Sequence, residues 1–301
     1  MRSGFASLIG RPNAGKSMLL NRLVGTKLAI VSDKPQTTRN RILAVARLTG
    51  NPAGQVVFLD TPGIHRPLHR MNVRMVDSAL ETISSVDVLV IVLDASVKVG
   101  RGDRYVLTQL EGATAPLVLA LNKIDLIRKN QLLPIIDWYR QQREFAAIVP
   151  VSALTGDGQK ELECAIGEQL PEGPPLYPED YLTDQPERLL AAEMVREKIL
   201  WYTSAELPFS TAVVVDQFDE ETRDDGGMLK IYCSVLVERE SQKRIVVGRQ
   251  GTLIKKVGME ARRELEGLFA TKVYLDLHVR VRAGWRDNDQ ILGSLGITTT
   301  S

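Results

Sequence analysis

Residues able to do chemistry appear early in the chain. Gly10-Arg11-Pro12-Asn13-Ala14-Gly15-Lys16-Ser17 fits the spacing G-x-x-x-x-G-K-[ST]. A polyphosphate cradled by backbone N–H groups excludes side chains at Gly10 and Gly15, and a helix starting here adds positive potential. Lys16 has the reach for the terminal phosphates, and the Ser17 hydroxyl suits Mg²⁺. Three further clusters follow in order: Asp60-Thr61-Pro62-Gly63-Ile64, Asn122-Lys123-Ile124-Asp125 and Ser152-Ala153-Leu154. Asp60 closes an apolar run, where a lone carboxylate is costly and Mg²⁺ held through water is its natural partner. Gly63 can bring its N–H onto a γ-phosphate, which a bulkier residue hinders. The Asp125 carboxylate accepts two parallel N–H bonds, which guanine offers at its ring N–H and exocyclic amine. Adenine lacks that pair and would leave an acceptor unsatisfied. Asn122 is expected to brace neighbouring loops, the Lys123 stem to lie along the base, and the Ala153 N–H, in the loop begun by Ser152, to meet the guanine oxygen.

The polar stretch Lys27–Arg41 has no clear period and reads as a loop that orders around a γ-phosphate and its metal. Thr38 is the candidate second hydroxyl on Mg²⁺, with Thr37 the alternative. The expected metal set is therefore Ser17, Thr38 and Asp60, and the expected catalytic group is Lys16, Thr38 and Gly63. His65 reads as an exposed loop histidine and is given no role.

These clusters need rigid supports. Phe5–Ile9 is a short apolar run read as a buried strand, and Met18-Leu19-Leu20-Asn21-Arg22-Leu23 has helical spacing. Strand, glycine-bounded loop and helix start are the context the first motif requires. Ile42–Leu48, Val56–Leu59, Val86–Leu93, Pro116–Leu121 and Ala147–Val151 read as further strands. Alternation with helices predicts an α/β, doubly wound, mostly parallel sheet whose ligand lies beyond the strand carboxyl ends. GTP with Mg²⁺ is the predicted ligand.

A chain of 301 residues is long for one core, so two domains are expected. The balance of 44% hydrophobic and 25% charged residues fits a folded protein, and the net charge of +1 confines any nucleic-acid surface to a local patch. Cys164 and Cys233 lack a nearby partner or metal-ligand spacing and suit a reducing cytosol. Arg11, Asn13 and Lys16 interrupt any signal-peptide core, and the longest apolar run, Val88–Leu93, is too short to span a bilayer. Peripheral membrane contact stays open.

The proline-rich run 171–178 reads as a semi-rigid connector. The expected division is 1–170 for nucleotide binding, 171–184 as linker, 185–287 as a smaller α+β domain and 288–301 as a tail. In the second half, Leu189–Trp201 reads as an amphipathic helix, and Thr211–Val215, Met228–Val237 and the alternating Lys272–Arg282 read as strands. Between them Gly248-Arg249-Gln250-Gly251 is a G-x-x-G loop opening a helix, the clamp that KH domains close on nucleotide backbones. Lys243, Arg244, Arg249, Lys255, Lys256, Arg262 and Arg263 surround it against one acid, Glu260. Gly248, Arg249, Gln250, Gly251, Lys255 and Lys256 are the expected RNA contacts.

The motifs at 10–17, 34–39 (Lys-Pro-Gln-Thr-Thr-Arg), 60–65, 122–125 and 152–154, with Arg196–Leu200, the Gly248–Gly251 loop and Trp285–Leu295, make the chain resemble the Era family of GTPases over nearly its full length. Only one phosphate loop is present, which rules out relatives with two GTPase domains. The resemblance implies a P-loop GTPase domain followed by a KH-type domain. It also implies a GTP-hydrolysing switch that binds small-subunit (16S) ribosomal RNA near its 3′ end, assists 30S assembly, and acts as a cytoplasmic monomer, sometimes at the inner face of the membrane. Many P-loop GTPases carry Gln where this chain has Ile64, so slow intrinsic hydrolysis is expected. Backbone groups, a monovalent cation or a partner would then position the water, and the resemblance implies that Asn13 helps hold K⁺. Met18 departs from the usual Thr and Arg249-Gln250 from the commoner Lys-Gly. Two rival readings are a scaffold whose GTP is structural and a C-terminal domain that docks protein or membrane.

Overall fold

The computed structural model describes residues 1–34, 37–63, 70–203, 207–221, 223 and 227–297. In chain order the elements are β1 (Arg2–Ile9), α1 (Lys16–Val24), β2 (Ile42–Leu48), β3 (Gly54–Asp60), α2 (Arg70–Ile83), β4 (Val88–Asp94), α3 (Arg101–Gln109), β5 (Leu117–Asn122), α4 (Leu132–Gln142), β6 (Ala147–Pro150), α5 (Gln159–Gln169), α6 (Glu187–Tyr202), α7 (Leu207–Ser210), β7 (Thr211–Asp219), β8 (Met228–Val237), α8 (Glu240–Val247), α9 (Thr252–Phe269), β9 (Lys272–Val281) and α10 (Asp289–Ser294). Two compact units result: one of residues 1–29, 38–68 and 75–184, the other of 30–37, 69–74 and 185–301.

The first unit is built on a six-stranded sheet ordered β2-β3-β1-β4-β5-β6. Every pairing is parallel except β2 with β3. Strands covered on both faces must be apolar throughout, as Val88–Leu93 of β4 illustrates. Its side chains alternate. Val88, Val90 and Val92 join Leu19, Leu20 and Leu23 of α1 and Leu162 and Ile166 of α5, while Leu89, Ile91 and Leu93 join Ala79 of α2, Val106 of α3 and Tyr139 of α4. The chain leaves β1 between its neighbours β3 and β4, and in such sheets that reversal opens a crevice beyond the strand ends.

Residues 171–184, expected as a spacer, lie along this same sheet. Pro171 accepts from the Ser3 N–H (3.0 Å), Gln55 bonds the backbone of Leu176 and Tyr177, and Leu182 accepts from the Val45 N–H (2.8 Å).

The second unit has a three-stranded sheet ordered β7-β8-β9, antiparallel then parallel. Its core gathers Val195 and Ile199 of α6, Val246 of α8, Val257, Ala261 and Leu265 of α9, and Ile231, Cys233 and Val235 of β8. The amphipathic reading of α6 is corrected here, because every residue from Leu190 to Leu200 except Glu193 is buried. Buried charges survive only when partnered. Arg196 bonds Glu193 and the Thr37 carbonyl, Glu197 accepts from the Val31 N–H at 2.7 Å, and Lys198 donates to Glu197 at 3.1 Å and Glu264 at 2.5 Å. After Trp285, whose indole N–H donates to Ser210 O at 3.1 Å, α10 packs down through buried Leu292, Leu295 and Ile297. Cys233 is buried, whereas Cys164 is half-exposed and donates to Asn51 O at 3.1 Å. Among the described residues no helix is long and apolar enough to cross a membrane.

Phe58 is fully buried in the core beneath α1. Phe58→Ala should lower unfolding stability by about 3–5 kcal/mol in urea titrations.

Candidate functional site

The phosphate-type loop lies between β1 and α1, and contact fixes its two glycines. A Cβ at Gly10 would stand 2.2 Å from Val92 O, and one at Gly15, whose φ is +96°, would stand 2.2 Å from Asn122 Nδ2. Asn13 holds a left-handed φ of 65°. Lys16 is buried, and its Nζ donates to Gly10 O (3.2 Å) and Arg11 O (3.1 Å). The ammonium therefore sits under the loop, where a phosphate would compete with neutral carbonyls for its protons. Burial pushes its pKa down to about 8, with Asp60 partly opposing.

Ser17, Thr38 and Asp60 come together. Ser17 Oγ lies 2.6 Å from Thr38 Oγ1 and donates to Asp60 Oδ2 at 3.0 Å. The single Ser17 proton goes to Asp60, so Thr38 is the donor to Ser17. The Thr37 hydroxyl turns away to Lys34 O (2.6 Å), which separates the two alternatives left by the sequence. Asp60 is fully buried, its Oδ1 has no hydrogen-bond partner, and burial raises its pKa to about 6 against the pull of Lys16. Two hydroxyls and a carboxylate with an orphaned oxygen are a hard-oxygen set that fits Mg²⁺. Among the described residues no cluster of three His, Cys, Asp or Glu offers another metal site.

Gly63 abuts the loop, since a Cβ there would meet Pro12 N at 2.7 Å. Pro62 is buried beside it, and the buried Thr61 hydroxyl is spent on Leu8 O (3.0 Å), so Thr61 fastens β3 to β1. Ile64 and His65 lie outside the described residues.

At the base-reading end, Asn122 donates from Nδ2 to Ala14 O and accepts at Oδ1 from the Ala153 N–H, both at 2.9 Å. The Ala153 amide, expected to face guanine, is thus engaged by Asn122. Asp125 is exposed at the centre of the short 3-10 turn Ile124–Leu126, and its Oδ1 accepts from Ser152 Oγ at 2.5 Å. Lys123, at a left-handed φ of 65°, donates to Asp94 Oδ2 at 2.6 Å. Burial pushes the Asp94 carboxyl up, but the bond from Lys123 together with the two from Ser96 holds it below the usual carboxylate range. Asp94 escaped the sequence reading, although its place at the end of β4 resembles that of Asp60 at the end of β3. Arg11 was assigned to the loop, but its side chain reaches away to Asp103 at 2.9 Å, a partner no spacing rule could supply.

In the second unit a 3-10 turn, Arg249–Gly251, joins α8 to α9. Gly248 (φ 75°), Gln250 (φ 54°) and Gly251 (φ 76°) all take positive φ, and a Cβ at Gly248 would press on Leu253 at 2.7 Å, whereas Gly251 faces open space. Arg249 and Gln250 are exposed. Beside the turn an open groove of about 270 Å³ runs between α9 and β9, lined by Ile254, Lys255, Gly258, Met259, Arg262, Leu275 and Leu277. Lys256 instead stands 4.1 Å from the ring centre of Tyr202, so the two adjacent lysines face different surroundings. Met259 and Arg262, at i, i+3 spacing on α9, share the face that lines this groove; of the two only Arg262 was singled out from the sequence.

A P-loop nucleotide-binding domain followed by a small α+β unit with a G-x-x-G turn defines the class. A model of the 50S ribosome-binding GTPase family matches residues 5–123, and one of the KH domain matches 206–286. GTPase Era of Geobacter metallireducens is 48% identical over 99% of this chain and 98% of its own length. GTPase Era of Geotalea uraniireducens is 50% identical over 98% and 97%. Among solved structures, a variant of Aquifex aeolicus Era bound to GDP and AlF₄⁻ superposes with a TM-score of 0.93 at 38% identity, covering 99% of this chain and 100% of that one. Era in complex with MgGDPNP and nucleotides 1506–1542 of 16S ribosomal RNA gives 0.94 at 38% identity, covering 99% of both. The chain belongs to the Era family of GTPases, and it is a GTP-hydrolysing enzyme.

Asp125→Asn replaces an acceptor with a donor, so GTP binding should fall about 100-fold and xanthosine triphosphate, which carries an oxygen at position 2, should gain; competition titrations check both. The raised Asp60 pKa means that the folded state holds its proton more tightly than the unfolded chain. Stability is then complete below about pH 4 and falls as pH rises towards 6, by about 3 kcal/mol from this group. Denaturation of the nucleotide- and metal-free protein should show that fall, and Asp60→Asn should flatten it.

Proposed function

We propose that this GTPase is a molecular switch that binds small-subunit ribosomal RNA through its second unit and assists assembly of the 30S subunit. One observation carries the reading: a single chain holds both the Ser17–Thr38–Asp60 oxygen cluster with a buried Lys16 and a G-x-x-G turn followed by a groove that presents Lys255 and Arg262. The relative crystallised with a 16S fragment and MgGDPNP supports it over the full chain length. The family description naming the 50S subunit covers residues 5–123 alone and says nothing of the second unit.

In this proposal the backbone of Gly10–Ser17 wraps the phosphates, and Lys16 draws charge from the β and γ oxygens as the bond to the γ-phosphoryl loosens. Ser17, Thr38 and Asp60 would hold Mg²⁺, which supplies charge neutralisation there. The Gly63 N–H steadies the γ-phosphate, Asp125 selects guanine, Lys123 lies along the base, and Asn122, Ser152 and Ala153 hold the pocket. Ile64 can neither donate nor accept a hydrogen bond, so the attacking water lacks a side-chain partner at that position and the intrinsic rate is slow. Asn13, left-handed at the loop tip, is the candidate K⁺ contact. Gly248–Gly251 and Lys255 clamp the RNA backbone, with Lys256 alongside. We further propose 1–170 as the GTP-binding domain, 171–184 as its linker, 185–287 as the RNA-binding domain and 288–301 as a tail, in a cytoplasmic monomer with peripheral contact to the inner membrane face.

Gly251→Asp puts a carboxylate where phosphate would lie, in open space and in a left-handed conformation Asp tolerates. It should leave GTP binding intact and abolish RNA binding in gel-shift titrations with 16S 3′ fragments. Wild-type affinity in that variant would favour a protein or membrane dock. Phosphate release should be slow, faster in K⁺ than in Na⁺, and stimulated by RNA. RNA affinity should differ between the GTP and GDP states, and equal affinities would remove the switch.

A further inference from the structure

Helix α6 holds both ends of the polar segment 31–37. At Val31 the Glu197 carboxylate accepts from the N–H at 2.7 Å, and the Trp201 indole N–H donates to the carbonyl at 2.9 Å. At Thr37 the carbonyl accepts from Nη2 of Arg196. That guanidinium is itself fixed, being 1% exposed and donating to Glu193 from Nε at 2.7 Å and from Nη2 at 2.5 Å. Its Nη1 is buried and has no partner among the described residues. A buried charge with an orphaned nitrogen is a poor device for stability alone, since an apolar side chain of similar volume would fill the site without that cost. What the guanidinium does that an apolar group could not is hold one backbone carbonyl in place.

That carbonyl belongs to the peptide joining Thr37 to Thr38. The peptide is planar, so fixing its oxygen also fixes the direction in which Thr38 leaves it. Thr38 is buried, and its hydroxyl lies 2.6 Å from Ser17 Oγ in the oxygen cluster with Asp60. The Thr37 hydroxyl is tied separately, to Lys34 O at 2.6 Å. We propose that Arg196 is a positioning residue for the metal site: by holding the 37–38 peptide it presents the Thr38 hydroxyl to the Mg²⁺ that Ser17, Thr38 and Asp60 would share. The role rests on these three oxygens being the metal's ligands. Thr37 and Arg196 lie in the second unit and Thr38 opens a stretch of the first, so the peptide that Arg196 holds is a covalent joint between them.

The test titrates Mg²⁺ calorimetrically into the complex with GDPNP for wild type, Thr38→Ala, Arg196→Lys and the pair Arg196→Met/Glu193→Gln. The pair removes both charges together, so neither is left buried alone. Loss of a group that orients a metal ligand corresponds to about tenfold in metal affinity. Mg²⁺ binding should weaken by about that factor in the pair, while affinity for GDP in Mg²⁺-free buffer stays at the wild-type value. Arg196→Lys keeps a charge beside Glu193 but loses the fork that serves two partners; it should weaken Mg²⁺ binding roughly threefold, and it carries the comparison if the pair fails to fold. Adding Thr38→Ala to the pair should cost nothing beyond Thr38→Ala alone, because both act on one hydroxyl. Wild-type Mg²⁺ affinity in either folded variant would overturn the role. Losses that add in the combined variant, or an equal loss of GDP binding without metal, would reduce Arg196 to a structural support. Failure of the metal reading itself looks different: Thr38→Ala would then leave Mg²⁺ affinity unchanged, and the role would fall with it.

Discussion

The side chain of Asn122 is the joint on which the nucleotide site depends. One amide joins three loops that leave different strands, giving a donor to Ala14 after β1 and an acceptor to Ala153 after β6, while its own residue ends β5. Only a group with a donor on one side and an acceptor on the other does this, and it is nearly inaccessible at 1% exposure, so a lost bond would go unreplaced by water. The same amide explains Gly15, because any side chain there would run into Nδ2. Phosphate binding and base reading are thus mechanically one site.

Electrostatics adds a second constraint. Lys16 and Asp60 are both buried, and each is driven by burial towards its neutral form and held back by the other. Neither is satisfied internally in the way Lys198 is by Glu197 and Glu264. Lys16 makes do with two backbone carbonyls, and Asp60 keeps one oxygen unpartnered. The buried Lys198 is closed by its own carboxylate partners, whereas Lys16 and Asp60, which feel each other's charge without a direct bond, stay open to charge from outside. An anionic phosphate on one side and a divalent cation on the other would relieve both at once.

Much of this was legible in the residues because the relevant interactions run through backbone, and backbone demands show as glycine. Gly10, Gly15, Gly63 and Gly248 each sit where a Cβ would collide, and strand positions followed from apolar runs. What escaped depended on side chains meeting across the fold. Asp94 beside Lys123, Asp103 beside Arg11 and the Thr37 carbonyl held by Arg196 involve partners separated by 29, 92 and 159 positions, with no local periodicity to reveal them. Helix α6 failed for another reason. Leu189–Trp201 reads as amphipathic because apolar and charged residues mix along it, but burial is decided by what packs around a helix, and here Val31 and Glu264 arrive to meet the charges at Glu197 and Lys198.

The backbone itself separates working loops from supporting ones. Left-handed φ is unfavourable for residues with a Cβ, and among the described residues four non-glycines adopt it: Asn13, Lys123, Gln250 and Ala270. Ala270 follows the last turn of α9 and serves to end the helix. The other three lie in the phosphate loop, the base-reading loop and the G-x-x-G turn. A glycine would adopt these conformations at less cost, so relief of strain alone does not account for the residues found there. Their side chains must contribute something that glycine cannot. At Lys123 the contribution is visible as the bond to Asp94. At Gln250 the left-handed residue stands exposed between two glycines, and its uncharged amide can both donate and accept. Three of the four strained residues thus lie in loops that open at the end of a strand or helix, and the strands and helices around them, with ordinary φ, provide the rigidity that holds those loops in place.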